Sequence, residues 1–189
     1  MLTYNTANTK SDLEGILSLQ KVNLSEALTK EEMQSQGFVT VSHSYAQLEK
    51  LNNVEKHLIA KSNGIVIGYV LAMTQQSKFD LPILRHMFDI FDDIIYNGKR
   101  VCDFNYVVVG QACIDKDYRG QGVIDNLYFN YKDYFSNRFD FAITGIASTN
   151  SRSLYVHRRV GFKKIHTYLD ANNCEWVVVL WSWNSGKLP

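Results

Sequence analysis

Val101 to Ile114 is the longest β-prone run of the chain, and it passes through a loop, Asp115 to Val123, into a helical segment from Ile124 to Tyr134. In that segment Leu127, Tyr128 and Tyr131 recur at helix spacing, so one face is apolar and must pack on a neighbour. A strand feeding such a helix predicts a helix laid on a sheet.

Other segments supply the remaining strands. His57 to Lys61 and Ile65 to Met73 are β-rich runs joined by Ser62-Asn63-Gly64, where asparagine and glycine accept the positive φ of a hairpin turn. Phe139 to Ala147 reads as a buried strand, Lys163 to Tyr168 and Trp176 to Trp183 as a closing pair, and Leu2 to Ala7 as a short edge strand. Helices are expected after a cap at Ser11 or Asp12, over Thr29 to Gln36, over Tyr45 to Leu51, and from a cap at Asn150 to Val160, where Gly161 ends the last one. Leu81-Pro82 opens another helical segment whose apolar residues, among them Phe88, Phe91 and Ile94, cover more than one face. The sum is a mixed α/β fold of the α+β type, a central and mostly antiparallel sheet flanked by helices, in one domain over residues 1–189.

Composition narrows the function classes. Of 189 residues, 46% are hydrophobic and 13% aromatic, enough for one well-filled core. With 20 Lys+Arg against 19 Asp+Glu the formal net charge is +1, so no long-range field draws the chain to nucleic acid or to anionic membrane lipid. Cys102, Cys113 and Cys174 form no CxxC pair, so neither a disulfide framework nor a zinc knuckle is encoded, and a reduced, cytoplasmic setting fits. His43, His57, His86 and His166 lack metal-ligand spacing, and no metal is expected. Neither a signal peptide nor an apolar run of about 18 residues is visible. The final strand, with Trp176, Trp181 and Trp183, either fills the core or meets a second subunit, so a monomer and a homodimer are both open.

The sharpest local feature is Tyr118-Arg119-Gly120-Gln121-Gly122-Val123, set between a strand and a helix. Glycines let the backbone approach a ligand closely, several N–H groups can point into one concavity, and the helix start adds roughly half a positive charge. Such an arrangement holds phosphate, and a glycine pair in that place is also a common tight turn. No Lys-Ser/Thr follows to make a nucleotide P-loop, and the spacing is not that of the dinucleotide-binding GxGxxG. A second feature is Asn150, from which Ser153 and His157 follow on one helical face while Tyr155 lies off that line. Taken alone, Asn150 reads as a cap and His157 as a satisfied histidine.

Together, in this order, the two features resemble the GNAT superfamily of acyl-CoA-dependent N-acyltransferases, and the resemblance reaches most of the chain. Arg119-Gly120-Gln121-Gly122 is similar to that family's pyrophosphate-binding signature, and Asn150 through Val160-Gly161-Phe162 to its asparagine-to-Gly-Phe closing motif. The resemblance implies a splayed strand pair, with a strand ending near Ile114 diverging from its neighbour near Phe141 to Ala147. It implies that acetyl-CoA lies there, its pantetheine arm on the main chain of Ala112, Cys113 and Ile114. Its pyrophosphate would sit on the N–H groups of Arg119, Gly120, Gln121, Gly122, Val123 and Ile124, with Asn150 and Ser153 beside the arm. It implies an N-acetyltransferase acting on a primary amine of a small molecule or peptide by direct attack in a ternary complex. A noncatalytic acyl-CoA binding or sensing module is the alternative.

Two positions depart from the family pattern. The signature R-x-x-G-x-G/A ends here in Ile124, which either crowds the cofactor or turns inward against the sheet. Four residues before Gly161 the family commonly has a tyrosine that protonates the departing thiolate, and this chain has His157. With an unperturbed pKa near ~6.5 a histidine can supply that proton or orient the water that does. No carboxylate lies between Asn105 and Ile114, where a base would be sought; Asp103 and Glu175 are weak candidates. Asp89, Asp92 and Asp93 either draw a cationic amine toward Phe88, Phe91 and Tyr96 or form a solvated helix face. Cys113 reads as a buried structural thiol rather than a nucleophile.

Overall fold

The computed structural model describes residues 1–79 and 84–183. In chain order its elements are β1 (Leu2–Thr6), α1 (Lys10–Lys21), α2 (Lys30–Gln36), α3 (Tyr45–Val54), β2 (Leu58–Ser62) and β3 (Ile65–Met73). Then come α4 (Arg85–Asp93), a small hairpin of β4 (Ile95–Tyr96) and β5 (Lys99–Arg100), β6 (Tyr106–Ile114) and α5 (Val123–Phe135). The chain continues through β7 (Phe141–Ala147), α6 (Ser151–Val160), β8 (Lys163–Leu169) and β9 (Glu175–Ser182). The helix start expected at Leu81-Pro82 lies outside the described residues.

Seven strands form one sheet in the order β1-β2-β3-β6-β7-β9-β8, and every pairing in it is antiparallel except β6 with β7. On one face α5 buries Leu127, Tyr128, Tyr131 and Phe135 against Val70, Val107 and Val109. Fully burying such side chains contributes roughly 1.5–3 kcal/mol each. On the opposite face α1 and α3 cover Ile59, Tyr69 and Leu71, and α4 covers Val108, Phe141 and Ile143 with Phe88 and Phe91.

Several expected boundaries move for identifiable reasons. Helix α1 is capped by Thr9, not Ser11 or Asp12; Asp12 is the third helical residue, reaching back to the Thr9 N–H at 3.0 Å and forming an ion pair with Lys61. The β-prone run from Val101 begins as a short turn, and the strand proper starts only at Tyr106. Helix α4 ends at Asp93, and Asn97 and Gly98, with φ of 49° and 78°, make a tight turn between β4 and β5. The expected Asn63-Gly64 turn has the same geometry, φ 49° and 83°.

Candidate functional site

The parallel ladder of β6 and β7 is short. It pairs Tyr106 with Phe141, Val107 with Ala142 and Val108 with Ile143, and there it stops. The Thr144 hydroxyl donates to the Val109 carbonyl at 2.7 Å, closing the apex of a gap that widens beyond it. On its other side β6 stays paired with β3 as far as Ile114, with a bulge: Leu71 faces Gln111 and Ala72 faces Val109, leaving Gly110 as the extra residue. A Cβ on Gly110 would come within 2.7 Å of the Met73 side chain, so glycine lets β6 kink away from β7 here.

Main-chain direction along β6 follows from alternation. The Asp115 N–H donates to Ile67 on the β3 side at 2.8 Å, so Cys113 and Gln111 also turn their N–H and C=O toward β3, while Ala112 and Ile114 turn theirs toward the gap. Arg119 Nε, donating to the Ile114 carbonyl at 3.0 Å from the gap side, agrees. The expectation for Cys113 is thereby corrected: its main chain serves the sheet, and only Ala112 and Ile114 offer theirs to the gap. Its thiol, buried on the α1 side, is pushed up to about 12 by burial and stays protonated.

Next to the gap lies a cleft of about 160 Å³ lined by the Tyr118 to Asp125 loop, the start of α6 and the segment Gln36 to Val39. Gly120 and Gly122 hold φ of 74° and 77°, the left-handed region that favours glycine. Gly122 is the N-cap of α5 and offers no side-chain cap, so the N–H groups of the first turn face the cleft. A Cβ on Gly120 would meet nothing within 4 Å, so the backbone there is open to a ligand. Ile124 is partly buried against the core under α5 and also lines the cleft. Gln121 turns away, its Nε2 donating to the Asp117 carbonyl at 2.8 Å, and Asp125 in the first turn is held by Arg159 at 2.7 Å.

The Arg119 side chain is committed to the fold. Besides Ile114 it donates to Gln36 Oε1 at 3.0 Å and Asn23 Oδ1 at 2.6 Å, tying the end of β6 to the α1–α2 region. Asn150 likewise works twice: its Oδ1 accepts from the Ser153 N–H at 3.1 Å, capping α6, and its Nδ2 donates to the Phe38 carbonyl at 2.9 Å. Phe38 thus lies as a strap across the cleft, a long-range contact that no local pattern around it signals. Gln111 helps hold it, donating to the Val41 carbonyl at 2.9 Å while its Oε1 accepts from Gln20 and from the Tyr69 hydroxyl at 2.6 Å.

His157 is only 5% exposed. Its Nδ1 lies 2.8 Å from the Ser153 carbonyl, which can only accept, so the proton sits on Nδ1; Nε2 then accepts from the Tyr128 hydroxyl at 2.6 Å. Burial lowers its pKa to about 4 and raises that of Tyr128, so the pair is neutral at pH 7. The one His157 N–H is thus given to the Ser153 carbonyl, and the ring joins α6 to α5.

The acidic residues of α4 are paired. Asp92 accepts from the Tyr106 hydroxyl at 2.7 Å and from Lys78 at 3.2 Å, and Asp93 pairs with Arg100 at 2.6 Å. Phe88 and Phe91 are fully buried against the sheet, and the Asp92 side chain is only 16% exposed. Asp103 accepts from the Arg100 N–H at 3.2 Å. Among the described residues no cluster of three or more His, Cys, Asp or Glu side chains is placed to hold a metal ion, and no helix is long and apolar enough to cross a membrane.

No protein-family model and no curated protein matches the sequence. Solved structures match it over nearly its whole length. A chain of the NatC complex bound to Gag peptide and CoA is 15% identical with a TM-score of 0.66, over 96% of this chain and 98% of that one. An acetyltransferase of the GNAT family from Streptococcus agalactiae is 9% identical with a TM-score of 0.65, over 96% and 95%. The yncA protein from Salmonella typhimurium, solved with its cofactor acetyl-CoA, is 14% identical with a TM-score of 0.65, over 100% and 97%. With its seven-stranded sheet, single parallel pairing and splayed β6 and β7, the chain has the fold of the GNAT N-acetyltransferases.

Proposed function

We propose that this chain is an N-acetyltransferase that moves an acetyl group from acetyl-CoA to a primary amine of a small molecule or peptide, in a ternary complex. The observation that carries the reading is the gap beyond Val108 and Ile143, which opens beside the uncapped start of α5. The N–H groups of Gly120 to Ile124 receive the pyrophosphate, aided by the positive end of the helix. Ala112 and Ile114 give their gap-facing main chain to the pantetheine arm, with Ser153 and Asn150 on the opposite wall. The Ala112 N–H, nearest the apex, polarises the thioester carbonyl as charge grows on its oxygen.

Acetyl-CoA supplies an acyl carbon bound to a good leaving group. The amine lone pair forms the C–N bond, the C–S pair leaves with sulfur as thiolate, and the nitrogen's extra proton passes to water in the gap. His157 acts as a positioning residue behind Ser153. The rate gain comes chiefly from holding two reactants in line. The three free cysteines suit a reduced, cytoplasmic setting.

A noncatalytic acyl-CoA module is the second reading, favoured by the commitment of both His157 nitrogens. Free thiol released when an amine panel is added to protein and acetyl-CoA separates the two. Turnover with any amine establishes the enzyme, and calorimetric binding of acetyl-CoA without turnover establishes the module.

A further inference from the structure

Three helices of this chain close their own starts with the side chain of their third residue. Asp12 in α1 accepts from the Thr9 N–H at 3.0 Å, Glu32 in α2 from the Thr29 N–H at 2.8 Å, and Gln47 in α3 from the Ser44 N–H at 2.8 Å. Helix α5 carries an aspartate in the same place, since Gly122 is its N-cap and Asp125 its third residue. There the carboxylate is bound elsewhere. Arg159 of α6 holds it as a fork, Nε donating to Oδ1 at 3.1 Å and Nη2 to Oδ1 at 2.7 Å and to Oδ2 at 2.8 Å. The Tyr155 ring, one helical turn before Arg159, has its centroid 5.8 Å from the guanidinium carbon. Helix α5 thus keeps an open first turn although it carries a residue able to close it.

The position of the pair gives this arrangement its consequence. Among the described residues that line the cleft beside the gap, Asp125 is the only acid, and Arg159 lines it too. A carboxylate at a helix start is drawn by the same partial positive charge and the same N–H groups that hold a phosphate, so it competes with an anionic ligand for donors and repels it as well. The Arg159 fork offsets that charge and fixes where it points. The two side chains are 43% and 45% exposed, and an ion pair so open contributes little to folding. Its effect lies in where it keeps the carboxylate.

Resting on the acetyl transfer proposed above, we infer that Arg159 is a positioning residue for the cofactor: it holds Asp125 off the start of α5, so that the first-turn N–H groups stay free for the CoA pyrophosphate. Without the guanidinium, Asp125 becomes an internal competitor, a free carboxylate at the helix end facing a diphosphate of the same sign. Arg159 acts through Asp125 and not by touching the phosphate. Its importance therefore vanishes when the carboxylate is removed.

The test is a double-mutant cycle on the full chain, with CoA binding measured by calorimetry at low salt. Arg159→Gln should weaken CoA at least about tenfold, because it leaves one unpaired negative charge beside the diphosphate. Asp125→Asn alone should bind CoA at least as tightly as the parent, and Asp125→Asn combined with Arg159→Gln should return to within about threefold of it. The Arg159→Gln deficit should also shrink between about 0.01 M and 1 M salt, where the screening length falls from about 30 Å to about 3 Å. An Arg159→Gln variant that binds CoA like the parent overturns the proposal. So does a loss that Asp125→Asn does not recover, or one that salt leaves unchanged, since Arg159 would then touch the phosphate itself or simply hold α6 in place. If the parent shows no CoA binding, the acetyl-CoA reading falls and the positioning role with it; if the parent binds and the cycle shows no coupling, only the positioning role is wrong.

Discussion

The Tyr128 hydroxyl donates to His157 Nε2 across 2.6 Å, joining the middle of α5 to α6 at the floor of the cleft. Both side chains are buried, so each polar atom depends on the other. Tyr128→Phe removes the only donor to Nε2 among the described residues and should cost about 1–3 kcal/mol, the usual penalty for an orphaned buried acceptor. Urea denaturation measures it, and a change within a few tenths of a kcal/mol would show that the contact adds nothing.

His157→Gln tests the positioning role. Because the ring has no proton free for sulfur, the variant should lose stability and still release thiol from acetyl-CoA at a rate within about tenfold of the parent, measured with the protein fully folded. General acid catalysis commonly contributes 10²–10⁴-fold, so a loss of that size at unchanged KM would restore His157 as the proton donor.

Stability should fall on mild acidification. Burial lowers the pKa of His43 and His157 to about 4 and that of His57 to about 3, all below the ordinary 6.5. Between those values the unfolded chain takes up protons that the folded chain refuses. Stability is therefore fully present above about pH 6.5 and is lost as pH falls toward 4, by up to about 1.4 kcal/mol per pH unit per histidine. Denaturation midpoints at pH 7.5 and at pH 5 give the check, and equal midpoints would contradict the burial of these rings.

Asn150→Ala removes the α6 cap and the bond to the Phe38 carbonyl together. A lost cap costs about 0.5–2 kcal/mol, and release of the strap should add faster amide exchange at Phe38 and Val39. If the variant lost stability without loosening these amides, Asn150 would be a cap and nothing more.

Gly122→Ala puts a side chain where φ is 77° at the start of α5. The left-handed conformation costs a non-glycine residue roughly 1–2 kcal/mol, and relief of it would turn the first-turn N–H groups away from the cleft. Calorimetry should show CoA affinity reduced about tenfold, and an unchanged affinity would move the pyrophosphate elsewhere.

Local rules made much of this molecule legible in the sequence. The glycine pair at 120 and 122, the Asn63-Gly64 turn and the Asn150 cap each depend on neighbours a few residues away, and each stands where expected. The Asn97-Gly98 turn carried the same signal and was hidden by the apolar run before it. Long-range facts were out of reach. Cys113 faces β3 because of a register set by a strand far off in the chain. His157 is occupied by a tyrosine on another helix. Periodicity marks which face of an element is buried, and it is silent on what that face meets.

Amide hydrogen exchange with and without CoA tests the central claim most directly. If the gap between β6 and β7 receives the pantetheine arm, exchange should slow at Ala112, Ile114, Gly122, Val123 and Ile124, with Cys113 unchanged because β3 already holds it. Slowing elsewhere with these amides unaffected, or no slowing at saturating CoA, would contradict it.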